Sequence, residues 1–175
     1  MIRGCGEADF GAIHAIINDA AIAYKGVIPA DRWHDPYMPE GELAAEIAAG
    51  VQFRGAVTAD QLAGIMGLQD RNANPGWRGP AVSLIRHAYV KTAFQRQGLG
   101  GEILSDIMAQ NERPLLVGTW AAASWAVDFY IGNGFRQVEL GEKDRLLQTY
   151  WNIPARQVET SVVLAGPGFN GDADP

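Results

Sequence analysis

The chain has 175 residues, 47% of them hydrophobic, and its 20 acidic and 14 basic side chains give a formal net charge of −6. These values predict one globular domain with a sizeable core and disfavour nucleic acid and anionic membranes as partners. The single cysteine, Cys5, excludes a disulfide framework within the chain and a multi-cysteine zinc site. No stretch is apolar enough to span a membrane, and acids stand where a secretory signal needs an apolar run, so we expect a cytoplasmic location.

Hydrophobic periodicity and breaker residues divide the chain into strands and helices. The first half predicts a strand (MIRGC), a helix from Asp9, an aromatic connection (KGVIPADRWHDPYMP), a helix (GELAAEIAAG), two strands (VQFRGAVTAD and QLAGIMGLQD), a loop (RNANPGWRGP) and a strand (AVSLIRHAYV). The second half predicts a helix after KTAFQRQG, a strand (LLVGTW), a helix (AAASWAVDFYIGNGF), a strand (FRQVEL), a helix (EKDRLLQTYW) and a final strand (RQVETSVVL). This order predicts a mixed α/β domain over residues 1–165, followed by a flexible tail at 166–175.

A glycine-rich segment, Gln95-Arg96-Gln97-Gly98-Leu99-Gly100, lies between a predicted strand and a predicted helix. Glycines there let the backbone approach a ligand, and the N–H groups at a helix start attract an anion. The spacing matches neither a P-loop nor a Rossmann fingerprint. The segment therefore indicates either a pyrophosphate-binding loop or a turn that packs a helix tightly on a sheet.

A second segment, Phe129-Tyr130-Ile131-Gly132-Asn133-Gly134-Phe135, ends a predicted helix. Tyr130 could donate a proton to a leaving group there. A core aromatic on an amphipathic helix is the alternative.

Together the two segments resemble the GNAT acetyltransferase superfamily, which carries Gln/Arg-x-x-Gly-x-Gly/Ala after its fourth strand and a late Tyr-x-x-x-Gly-Phe. The resemblance covers nearly the whole chain, from Met1 to Leu164. It implies a mostly antiparallel sheet of six to seven strands, splayed between the fourth and fifth and flanked by helices. It also implies acetyl-CoA as co-substrate and direct attack of an acceptor primary amine, from a small molecule or a protein, on the thioester. A homodimer is a further option.

The resemblance assigns roles to individual residues. The pyrophosphate would be bound by the loop, and the pantetheine arm would follow the end of the fourth strand. Tyr130 would protonate the departing CoA thiolate. The predicted cofactor-binding residues are Ala88, Tyr89, Val90, Gln95, Arg96, Gln97, Gly98, Leu99, Gly100 and Gly101.

The sequence departs from the family pattern at the residue that serves as general base. Many members place a Glu on the fourth or fifth strand, and neither AVSLIRHAYV nor LLVGTW contains a carboxylate. An Asn that often follows the fifth strand is also missing. His87 on the fourth strand is the candidate substitute, because histidine exchanges protons near neutral pH. The alternative is a structural strand histidine.

The aromatic connection is where this family shapes its acceptor pocket. The residues predicted for this pocket are Tyr24, Trp33 and His34 in or beside the connection, Trp120 at the end of LLVGTW, and Trp151 in GEKDRLLQTYWNIP. The three histidines lack metal-ligand spacing, so we expect no metal. The missing carboxylate and Asn also allow a non-catalytic acyl-CoA-binding or sensing module, although a pure binder would not need Tyr130.

Overall fold

The computed structural model describes residues 1–170. Within that range the chain forms seven strands: β1 Ile2–Gly4, β2 Gln52–Thr58, β3 Gln61–Arg71, β4 Val82–Val90, β5 Leu115–Trp120, β6 Arg136–Gln137 and β7 Ser161–Ala165. Six α-helices accompany them: α1 Phe10–Ala20, α2 Glu40–Ala48, α3 Leu99–Gln110, α4 Ser124–Gly132, α5 Leu140–Tyr150 and α6 Ala155–Glu159. Single 3-10 turns occur at Glu7–Asp9, Ala21–Tyr24, Ala30–Arg32 and Thr92–Phe94.

The strands follow the order β1-β2-β3-β4-β5-β7-β6 in one seven-stranded sheet, which confirms the predicted mixed α/β fold and strand number. The chain divides into two compact units. The first comprises Met1–Gln69 and Ile85–Asn111, and the second comprises Asp70–Leu84 and the chain from Glu112 onward. Strand β4 belongs to the second unit up to Leu84 and to the first unit from Ile85, so the boundary between the two units falls within this strand.

The first unit is built on the antiparallel strands β1, β2 and β3, with Arg3 opposite Gly55 and Gly55 opposite Ile65. Helix α1 contributes an apolar face whose buried positions recur at helical spacing, and α2 contributes Leu43. That core contains Ile13, Ile16, Ile17, Met38, Leu43, Val51, Phe53, Leu62 and Ile65. The hairpin between β2 and β3 turns on Ala59 and Asp60, whose φ angles are +49° and +58°.

The second unit places β7 between β5 and β6, antiparallel to both. Its core combines strand residues with the buried face of α5, including Leu146, Leu147 and Tyr150. Phe169 is 4% exposed and belongs to the same core, so part of the tail expected at 166–175 is packed into the unit. Residues 171–175 lie outside the described range.

Two predicted strands are wrong in extent. FRQVEL contributes only Arg136–Gln137 to the sheet, because Glu139 is already the N-cap of the helix that runs over Leu140–Tyr150. RQVETSVVL divides into α6 and the shorter β7, since Pro154 precedes the first helical residue and favours a helix start over a strand. The first helix is also shorter than predicted, because its last turn at Ala21–Tyr24 is a 3-10 turn.

Candidate functional site

The glycine-rich loop (residues 95–101) leads into α3 in the first unit. Gly98 caps the helix with φ +85° and ψ −5°, a left-handed conformation that glycine adopts without a Cβ penalty. The first intrahelical bond runs from the Glu102 N–H to the Gly98 carbonyl at 3.0 Å. The N–H groups of Leu99, Gly100 and Gly101 precede that bond, so the helix does not use them. A Cβ built on Gly98 would meet nothing within 4 Å, so the loop backbone is open to a ligand at this point.

Three hydrogen bonds fix the start of the glycine-rich loop. The carboxylate of Asp19 in α1 accepts from the Thr92 N–H at 2.7 Å. The Gln95 side-chain amide donates to the Val90 carbonyl at 3.1 Å, and the Lys91 N–H donates to the Ala63 carbonyl at 2.8 Å. The predicted ligand residue Gln95 therefore also joins the loop to the end of β4.

One residue of this loop and one residue of β4 have a strained backbone conformation. Among the described residues, four other than glycine have positive φ, and two of them form the β2–β3 hairpin. The other two are His87, at +52° inside β4, and the exposed Arg96, at +61° in the loop. The left-handed region costs such residues about 1–2 kcal/mol. Strain of this kind is more common at functional sites than elsewhere.

His87 lies beside a carboxylate that the sequence analysis missed. Its Nε2 donates to Glu46 Oε2 at 3.2 Å, and Arg86 Nη2 donates to Glu46 Oε1 at 2.8 Å. Burial raises the pKa of Glu46, but its hydrogen bond with His87 and the charge of Arg86 outweigh burial, so the net pKa lies below the ordinary value. Glu46 lies on α2, whereas the family pattern directs attention to carboxylates on the fourth and fifth strands.

Tyr89 is one of the predicted cofactor-binding residues at the end of β4, and its side chain contacts other side chains of the protein. It packs against the core of the first unit and forms hydrogen bonds with Tyr24 and Tyr37. Burial, followed by the charges and hydrogen bonds of these two tyrosines, raises the pKa of Tyr89 well above 10, so its phenol stays protonated. This leaves the backbone of Ala88, Tyr89 and Val90 as the part predicted to contact a cofactor arm.

The aromatic connection forms a stack in the first unit. Tyr37 stacks on Tyr24 at 6.0 Å between ring centroids, on Trp33 at 5.5 Å and on His34 at 6.3 Å. The His34 ring donates from Nδ1 to the Pro36 carbonyl at 2.7 Å, which makes His34 a support of the connection itself. Three of the predicted acceptor residues are thus brought together around Tyr37.

The end of that connection is attached to α1. The Asn18 side chain accepts from the Met38 N–H at 2.8 Å and donates to the Met38 carbonyl at 3.0 Å. His14 Nε2 donates to the same carbonyl at 2.9 Å. His14 therefore helps to attach the end of the connection to α1.

Tyr130 lies in the second unit near the end of α4 and is 3% exposed. Its ring contacts Phe129 edge-on at 5.0 Å and Phe135 at 5.4 Å. The Phe135 N–H donates to the Tyr130 carbonyl at 3.0 Å, which closes the glycine turn after the helix. The burial fits a core aromatic, and the acid role of Tyr130 stays a prediction.

The remaining two acceptor candidates also lie in the second unit. Trp120 ends β5 and is paired with Ser161 of β7. Trp151 packs over Gly118, where an added Cβ would come within 3.4 Å of the indole, and its carbonyl accepts from Asn74. Trp151 is therefore partly a packing residue.

No group of three or more His, Cys, Asp or Glu side chains among residues 1–170 is arranged to hold a metal ion. In the same range no helix combines the length and the apolar character that a membrane span needs.

The chain matches the family model of the acetyltransferase (GNAT) domain over residues 18–146. That range covers more than half of the chain, so the protein belongs to the GNAT acetyltransferase family. A search of curated proteins finds no match.

Several solved structures share the fold. A GNAT-family acetyltransferase from Staphylococcus aureus Mu50 is 17% identical, with a TM-score of 0.64 over 95% of this chain and 97% of that chain. PaiA N-acetyltransferase from Thermoplasma acidophilum, solved with coenzyme A, is 16% identical, with a TM-score of 0.65 and the same coverage. YncA, a putative acetyltransferase from Salmonella typhimurium solved with acetyl-CoA, is 19% identical, with a TM-score of 0.61 over 100% and 96%.

Proposed function

We propose that the protein is an acetyl-CoA-dependent N-acetyltransferase that acts in the cytoplasm on a primary amine. The observation that carries the proposal is the glycine-rich loop, in which Gly98 is left-handed and open and the next three N–H groups precede the first intrahelical bond. Such a helix start favours an anion through its amides and its dipole. Arg96 is exposed in the same loop and adds positive charge. These features suit the pyrophosphate of CoA.

The proposed reaction is a direct transfer. The amine nitrogen forms a bond to the acetyl carbonyl carbon, and the bond between that carbon and the CoA sulfur breaks. His87 is the proposed base that takes the amine proton, and Tyr130 is the proposed acid that protonates the thiolate. The remaining contribution is positioning of the two substrates, which supplies a large share of the rate in such reactions.

The acceptor site is proposed to include the aromatic stack around Tyr37. Aromatic faces attract cations, and the net charge of −6 favours the encounter with a cationic amine. Trp120 and Trp151 are retained as proposed acceptor contacts on the basis of the resemblance alone.

The test combines binding and turnover. Calorimetry with acetyl-CoA measures binding, and release of the CoA thiol is followed with a panel of small amines and peptide amines. Turnover with an amine and formation of its N-acetyl product support the proposal. Binding without turnover with any amine would instead indicate an acyl-CoA-binding module, and absence of binding would refute both.

A further inference from the structure

The Glu46 carboxylate bonds two neighbouring residues of β4, Arg86 and His87. Successive side chains of a regular strand point to opposite faces, so one carboxylate does not ordinarily reach both. The left-handed φ of His87 interrupts this alternation. The strained backbone of His87 therefore accompanies the contact of both side chains, Arg86 and His87, with Glu46.

The position of Glu46 is itself fixed by a chain of hydrogen bonds in the first unit. Arg86 Nη1 donates to Gln69 Oε1 at 2.9 Å while its Nη2 donates to Glu46. The Gln69 amide is buried and donates to the Ala49 carbonyl at the end of α2 at 3.0 Å. Helix α2 is thus connected to β4 directly through Glu46, and indirectly from Ala49 through Gln69 to Arg86.

The contacts determine which ring nitrogen of His87 can act as a base. An ionised carboxylate only accepts hydrogen bonds, so Nε2 must carry the hydrogen that it donates to Glu46. The lone pair of the neutral ring is then on Nδ1. The Phe53 ring lies 6.2 Å from the imidazole between centroids, and the His87 side chain is 13% exposed, so the ring is confined while a small part reaches solvent.

We propose that Glu46 is a positioning residue that holds the imidazole of His87 in the Nε2–H tautomer, so that Nδ1 receives the proton of the acceptor amine. The inference rests on the proposed function, in which His87 is the base. When the new bond to the acetyl carbon forms, the amine proton moves to Nδ1, and the ionised Glu46 balances the charge of the resulting imidazolium. Glu46 thereby supplies from α2 the carboxylate that strands β4 and β5 lack.

Glu46→Gln provides a sharp test because it reverses the hydrogen bond. The amide oxygen of the new side chain faces the Arg86 donor, so its NH₂ group faces His87 Nε2. That nitrogen must then accept, and the hydrogen moves to Nδ1. We expect nitrogen NMR at a pH where the ring is neutral to show the Nε2–H form in the wild type and the Nδ1–H form in the variant.

The kinetic expectation follows from the tautomer. A base held in the wrong tautomer typically loses about 10²–10⁴-fold in kcat. We expect Glu46→Gln to lower kcat by at least about 10²-fold and to leave the affinity for acetyl-CoA unchanged. Glu42→Gln is the matched control, because Glu42 is exposed one turn earlier on the same helix and its replacement removes the same charge.

A double-mutant comparison separates positioning from general stability. If Glu46 acts through His87, Glu46→Gln costs nothing further in kcat when His87 is already replaced by Asn. Equal losses in both backgrounds, an equal loss in Glu42→Gln, or an Nδ1–H ring in the wild type would each overturn the inference. If the wild type turns over no amine, the proposed function fails, whereas the tautomer measurement still decides whether Glu46 orients the ring.

Discussion

The carboxylate of Asp19 accepts a hydrogen bond from the backbone N–H of Thr92, with 2.7 Å between Oδ2 and the nitrogen. The bond connects α1 to the turn that leads into the glycine-rich loop. A hydrogen bond to a charged group contributes about 1.5–3 kcal/mol. Asp19 therefore stabilises the backbone geometry on which binding of the CoA pyrophosphate is proposed to depend.

Asp19→Ala should weaken acetyl-CoA binding roughly tenfold, because the loop loses that hydrogen bond. Asp19→Asn is the matched comparison, since it keeps an oxygen acceptor and removes the charge, and it should lose less. Calorimetry on both variants measures the difference. Unchanged affinity in a folded Asp19→Ala protein would contradict the role of this bond.

Gly98→Ala tests whether the loop backbone binds the cofactor. Gly76 is a matched control, because it has the same φ of +85° and equally open surroundings in a loop of the second unit. Both substitutions impose a similar left-handed strain of about 1–2 kcal/mol and should lower the melting temperature comparably. Only Gly98→Ala should also lower acetyl-CoA affinity, by at least about tenfold. Equal affinities in the two variants would argue against the assigned loop.

His87→Asn removes the proposed base while keeping a residue type that tolerates the left-handed region. Protonated imidazole cannot accept a proton, so the wild-type rate should fall at acidic pH. In the variant, kcat should be lower and this acidic limb should disappear, with acetyl-CoA affinity unchanged. A pH–rate profile that keeps its acidic limb would return His87 to a structural role.

Tyr130→Phe should lower kcat roughly 10²-fold and leave acetyl-CoA affinity nearly unchanged, if the phenol protonates the thiolate. Tyr150→Phe is the control, because Tyr150 is also a buried tyrosine of the second unit and its hydroxyl donates to the Pro80 carbonyl at 2.8 Å. That variant should lose only stability, about 1 kcal/mol. Full turnover of Tyr130→Phe at saturating substrates would refute the acid role.

The Arg3–Asp9 pair predicts part of the acid sensitivity of the fold. The hydrogen bond from Arg3, together with the Gly6 N–H, lowers the pKa of Asp9 from 3.8 to about 2. A lowered pKa stabilises the folded state above the unfolded value of 3.8, and this contribution is lost as the pH falls toward about 2. Asp9→Asn should therefore be less stable than the wild type near pH 6, and the difference should shrink between pH 4 and pH 2 in thermal melts. A constant difference across that range would contradict the assignment.

The sequence predicts the architecture well because strong local signals coincide with the elements. The apolar spacing of α1 and the glycine before α3, Gly98, correspond to a buried helix face and a helix cap in the structure. The strand predicted at 156–164 is wrong in its first half, because the alternating pattern of the segment conceals the helix start that follows Pro154. Phe169 was assigned to a tail, since a lone aromatic among glycines gives no periodic signal of the core that it joins.

The candidate site is less predictable than the fold. Glu46 is one of three glutamates in GELAAEIAAG and its neighbourhood, and helical spacing indicates only its place on a partly solvated face. Glu46 and His87 are 41 positions apart, and their contact occurs where His87 has a left-handed φ inside a strand. The hydrophobic pattern of a strand does not reveal such a φ. Tertiary contacts of this kind are visible only once the elements have been placed.

The hairpin at Ala59 and Asp60 bears on how far the protein could be improved by engineering. A two-residue turn with both φ angles positive is best suited to Asn followed by Gly, and alanine is among the poorer choices for its first position. Replacing Ala59 by Asn and Asp60 by Gly leaves Asp19 and the residues of the glycine-rich loop unchanged. Neither turn residue is the one that its backbone conformation favours, so substitution at this turn should raise the thermal stability of the protein.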